Sequence, residues 1–134
     1  MRGRKPAAIV AGSSPVNSVP KAPAWLSADA RKEWKRTAQI MVERKTLTEG
    51  DLAALEAFCV AVATVRECQR ALAADGMFVT NAKGDVKRHP AAGTMDAASK
   101  TLRLYASELG LTPVSRSRPA IRDDDKSGEL DFLG

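Results

Sequence analysis

Residues 48–76 read TEGDLAALEAFCVAVATVRECQRALAADG, with no proline anywhere in the run. Its signals are those of one long helix. Thr48 is placed as N-cap, and Asp51 three residues later is a shorter version of the capping-box acid. Gly76 follows the last turn, where a left-handed αL cap is expected. At 1.5 Å per residue the span is about 40 Å, well beyond an average helix of ~11–12 residues. Leu52, Leu55, Phe58, Cys59, Val62, Val65 and Leu72 fill a wide apolar sector. Ala53, Ala57, Val60, Ala61, Cys68 and Ala71 lie on the other side. A surface helix carries one apolar stripe and a charged back. This one is apolar nearly all round and needs cover on more than one side. We take that cover to be other copies of the same chain, with Leu55, Phe58, Val62, Val65 and Leu72 as the oligomerisation residues. The alternative is a central helix wrapped by its own neighbours.

Before this helix, Ser27 caps a shorter one that reaches about Arg44. Asp29 in its first turn suits the positive end of the helix dipole. Ala30, Trp34, Ala38 and Met41 form its apolar stripe; Arg31, Lys32, Lys35 and Arg36 form a basic back at i, i+4 spacing. Lys45-Thr46-Leu47 makes the turn. A helix-turn-helix reading of the pair is disfavoured, because the bases would meet Glu49 and Asp51, which phosphates repel. After Gly76, Met77–Thr80 and Val86–Arg88 flank an Asn81–Asp85 loop, which reads as a small hairpin over about 77–88. An isolated hairpin is marginal in water, so it must pack on the helices or on another subunit. Lys83, Lys87 and Arg88 make it basic. A third helix starts near Pro90, a residue tolerated at the first helical position. Its stripe is Ala91, Met95, Ala98, Leu102, Tyr105 and Leu109; Leu104 points away, Gly110 ends it and Pro113 follows.

The fold class expected is therefore mainly α: a three-helix core with one long central helix and a hairpin between helices two and three, assembling into a ring. Three regions are expected: a disordered basic arm over 1–24, a helical core over 25–111, and a flexible tail over 112–134. The whole chain carries +5 with a pI near 9.5, unevenly placed. Residues 1–22 hold +4, 23–111 hold +2, 112–122 hold +3, and the tail from Asp123 holds −4. Blocks of one sign at chain ends usually engage a partner. The arm's Arg2, Arg4 and Lys5 around Gly3 suit a narrow minor groove. Arg31, Lys32, Lys35, Arg36, Lys87, Arg88, Arg116 and Arg118 are the further phosphate-contacting candidates. Leu130, Phe132 and Leu133, set among Glu129 and Asp131, read as a short motif that docks on a partner protein.

Enzyme chemistry finds no foothold. His89 is the single histidine, it precedes Pro90 at a helix start, and a capping role suits it. No nucleophile elbow and no glycine-rich phosphate loop is present. Cys59 and Cys68 sit nine apart on one helix, about 13 Å of rise on nearly opposite faces, so they cannot bridge each other. No Cys-x-x-Cys pair offers a metal site, and no cofactor is expected. The composition points to the cytoplasm.

The order of landmarks resembles the small terminase subunit of tailed bacteriophages. The carriers are Gly3-Arg4-Lys5-Pro6; Pro23-Ala24-Trp25-Leu26 with Trp34; Leu47-Thr48 with Asp51; His89-Pro90-Ala91; and Leu109-Gly110-Leu111-Thr112-Pro113 followed by Ser115-Arg116. They span residues 2–118. The Gly-Asn-Pro turn expected in the arm is here Gly12-Ser13-Ser14-Pro15. The resemblance implies a non-enzymatic, ring-forming part of a DNA-packaging motor in the host cytoplasm. Such a subunit binds double-stranded viral DNA and recruits or regulates a large ATPase/nuclease subunit. Two other readings stay open at this point: a small dimeric DNA-binding regulator or nucleoid-type protein, and an adaptor with no DNA role.

Overall fold

The computed structural model describes residues 14–115. The expectations for Arg2, Arg4, Lys5, Arg116, Arg118, Leu130, Phe132 and Leu133 lie outside them. Helix α1 runs Ala28–Glu43. A 3-10 turn at Glu49–Asp51 leads into α2, Leu52–Asp75. Strands β1, Phe78–Thr80, and β2, Val86–Arg88, form the hairpin, and α3 runs Pro90–Glu108.

Local chemistry explains the boundaries. Ser27 Oγ accepts from the Ala30 N–H at 3.3 Å and starts α1. That helix ends in a Schellman motif: the Lys45 N–H reaches the Val42 carbonyl at 3.0 Å and the Thr46 N–H reaches Met41 at 2.9 Å. Lys45 takes the left-handed position itself, at φ 60°. At Thr48, the backbone N–H and the hydroxyl both donate to the Asp51 carboxylate, at 3.0 and 2.9 Å. α3 ends in a second Schellman motif with Gly110 at φ 71°; the Leu111 N–H donates to Ala106 at 2.8 Å.

Gly76 corrects one expectation. Its φ of 85° is positive, but its ψ of 161° is far from the αL cap. The chain leaves α2 fully extended, in a region that only glycine enters freely, and passes straight into β1. The strands pair antiparallel with Phe78 opposite Arg88, Val79 opposite Lys87 and Thr80 opposite Val86. Asn81 holds the five-residue loop: its side-chain oxygen accepts from the Lys83 and Asp85 N–H groups, both at 2.9 Å.

α1 and α3 both pack against α2. Leu26, Trp34, Met41, Leu47, Leu55, Phe58, Cys59, Val62 and Leu109 share one core. This packing answers the question of the all-round apolar helix. Ala61, Val62 and Ala63 are consecutive and all buried, which requires cover on more than one face. The chain's own neighbours supply that cover through the middle of α2. Leu55, Phe58 and Val62 sit inside the chain. Val65 and Leu72 remain half-buried.

Residues 14–24 are strapped to the helices. Pro15 bridges Thr48, the Val16 N–H donates to the Leu47 carbonyl at 2.8 Å, and the Trp34 indole N–H donates to the Pro20 carbonyl at 2.8 Å. Pro15, Pro20 and Pro23 suppress regular structure in this stretch. They do not prevent extended backbone from capping a core.

Candidate nucleic-acid interface

The basic back of α1 owes its character to where its acids go. Glu33 lies among the four cations in sequence, yet it points inward and is 1% exposed. It accepts hydrogen bonds from Thr37 Oγ1 at 2.6 Å, from Arg66 at 3.1 Å, and from Arg36. Burial works to raise its carboxyl, but the hydrogen bonds from Arg36 and Thr37 and the charges of Arg36 and Arg66 outweigh that. The group is held below the ordinary 4.5. Asp29 pairs with Arg70 at 2.6 Å, and that hydrogen bond lowers its carboxyl as well. The pairs Asp29–Arg70 and Glu33–Arg66 run in opposite order along the two helices, as antiparallel packing demands.

With Glu33 withdrawn and Asp29 paired, Arg31, Lys32, Lys35 and Arg36 stay on the solvent side of α1. Arg31 donates to the Ala24 carbonyl at 2.6 Å, which fixes its side chain and leaves its charge uncompensated. Arg36 shares its charge with Glu33. On the hairpin, Lys87 is exposed and Arg88 pairs with Asp96 at 3.2 Å. Antiparallel packing puts these groups toward one end: the hairpin starts about 9 Å of helix beyond Arg70, the partner of Asp29 in the first turn of α1.

Glu33 itself was missed in the sequence. Two signals pointed to it. Glu33 and Thr37 are spaced i, i+4 beside the Ala30-Trp34-Ala38-Met41 stripe, so they continue the buried face. Arg66 ends a run of nine uncharged residues, 57–65, and needs an acid from a neighbouring element.

His89 does the structural work expected of it. Its Nδ1 accepts from the Ala91 N–H at 3.0 Å, so Nε2 carries the proton toward the Asp75 carboxylate, 2.9 Å away. It ties the end of α2 to the start of α3. Both cysteines are free and buried, and burial, with the nearby Glu33 charge, pushes the Cys59 thiol up to about 12. Among the described residues no group of three His, Cys, Asp or Glu could hold a metal ion. No described helix is long and apolar enough to cross a membrane.

Residues 30–126 match the family described as phage terminase, small subunit. This chain belongs to that family. The match runs through the three helices and the hairpin and takes in Trp34, Thr48, Asp51 and His89-Pro90-Ala91; Gly3-Arg4-Lys5-Pro6 and Pro23-Ala24-Trp25-Leu26 lie outside it. Terminase small subunits act in phage DNA packaging in the host cell, and as a family they are generally not catalysts. No curated protein and no solved structure matches this terminase subunit.

Proposed function

We propose that this terminase small subunit assembles into a ring, binds double-stranded viral DNA, and recruits or regulates the large ATPase/nuclease subunit. The observation that carries the DNA reading is the one-sided charge of α1: Glu33 turns inward to Arg66 and Arg36, Asp29 is bound to Arg70, and Arg31, Lys32 and Lys35 face solvent. Phosphate contacts need cations free of competing carboxylates. Arg31, Lys32 and Lys35 form the centre of this surface. Lys87 extends it, Arg88 joins it by exchanging Asp96 for phosphate, and the basic segments around Arg4 and Arg116 add to it. Repetition around a ring would multiply these weak contacts. The segment Glu129–Leu133 serves as the contact to a partner protein.

Duplex DNA binding measured against salt tests this. Affinity should fall by about 0.9 log units per log salt for each phosphate neutralised. Lys32→Glu/Lys35→Glu should lower both affinity and slope, the slope by roughly two units of that size. A flat salt response of the parent chain would remove DNA from the proposal.

A further inference from the structure

The outer side of α1 is not simply a convex charged face. It forms one wall of an open cleft of about 660 Å³, a size typical of sites for compact ligands. The other wall is the strap. Val19, Pro20, Ala22 and Ala24 face Ala28 and the edge of Trp34 across a mostly apolar floor. Lys21, Arg31, Lys32 and Lys35 stand around it, and no carboxylate lines it. Bare DNA has no use for an apolar floor. An apolar floor within a cationic ring fits an acidic peptide with bulky hydrophobic side chains.

The chain carries such a peptide. Residues 123–133 read DDDKSGELDFL, with five acids, one lysine, and Leu130, Phe132 and Leu133. We propose that this segment docks in the α1–strap cleft of its own chain, its apolar residues on the floor and its acids against Lys21, Arg31, Lys32 and Lys35. The tether suffices. Ser115 lies by Arg44 at the C-terminal end of α1. The cleft reaches Lys35, nine residues away, or about 13 Å of helix. The seven residues 116–122 that precede the segment span up to about 23 Å extended. A second cleft lies nearer, between α1, α2 and α3, but Glu33 lines it and already engages Arg36 and Arg66, so its cations are partly neutralised. Charge complementarity therefore favours the α1–strap cleft.

The consequence rests on the DNA reading above. The docked tail covers the cations that DNA needs, so DNA and tail compete for one surface. DNA binding releases Leu130, Phe132 and Leu133 to a partner. The exchange is electrostatic, and salt weakens it on both sides.

Carbodiimide coupling of the full chain, read by mass spectrometry, tests the docking without DNA. Lys21, Lys32 and Lys35 should become linked to Asp123–Asp125, Glu129 or Asp131. Phe132→Ser/Leu133→Ser should reduce those links severalfold while leaving the acids in place. Links that go only to Lys45, Lys83, Lys87 or Lys100, or that persist undiminished in the double variant, would overturn the proposal. The same variant should bind duplex DNA more tightly at low salt, on the order of 3- to 10-fold. If the chain binds no DNA but the links appear as stated, the docking stands and the DNA reading falls. If DNA binds and the links are absent, the reverse holds.

Discussion

Lys45 and Glu33 show how single residues carry the fold. Lys45 sits at φ 60° in the Schellman turn after α1, where β-carbon sterics cost an L-residue about 1 kcal/mol and glycine nothing. Lys45→Gly is expected to raise stability by about 0.5–1 kcal/mol in urea unfolding, even though glycine loosens the unfolded chain. Glu33 makes the opposite case. Its folded carboxyl is held below 4.5, so its stabilisation is complete above that value and is lost as pH falls through the lower folded value. Glu33→Gln should cost about 1–3 kcal/mol at neutral pH. That is less than a fully buried ion pair, because the Arg66 and Arg36 side chains are 42% and 64% exposed and can return to water. Unfolding followed from pH 7 downward should show a shallower acid loss in the variant than in the parent.

At the scale of elements, the junction of α2 with the hairpin is set by Gly76. A β-carbon there would meet only the Phe78 carbonyl oxygen, at 3.8 Å, an ordinary contact. The cost of Gly76→Ala is therefore backbone conformation, about 1–3 kcal/mol, to be read as a lower thermal midpoint. The hairpin was legible from its β-prone runs around Asn81–Asp85, and Asn81 holds the loop as such a residue should. What it packs against was not legible. Phe78 and Val86 share a face and are 63% and 68% exposed, with Met77 exposed beside them. Two exposed large apolar residues on a two-stranded hairpin are poorly placed in water. They mark the hairpin as the better candidate for contact between copies than the middle of α2. Leu104, on the outer side of α3, is exposed as its break in the stripe implied.

For the whole molecule, the assembly state is the property to measure. Native mass of the purified chain should give one large species of many subunits, and Phe78→Ser/Val86→Ser should shift it toward smaller ones without unfolding the helices. A monomer or dimer in the parent would leave the small DNA-binding regulator as the better account. The helices, their caps, the hairpin and the third-helix stop were determined by local signals: Ser27, Thr48 with Asp51, Asn81, Pro90 and Gly110 each act within a few residues of themselves. The family resemblance was likewise legible, because it rests on the order of short motifs along the chain. Only tertiary packing decided which neighbour covers α2, that Glu33 turns inward to Arg66, that residues 14–24 strap the core, and that a cleft opens beside α1. Each of these depends on partners ten to forty residues away in the chain. A periodicity states that a face is apolar or a residue charged; the surface or counter-charge that meets it is supplied when the helices come together.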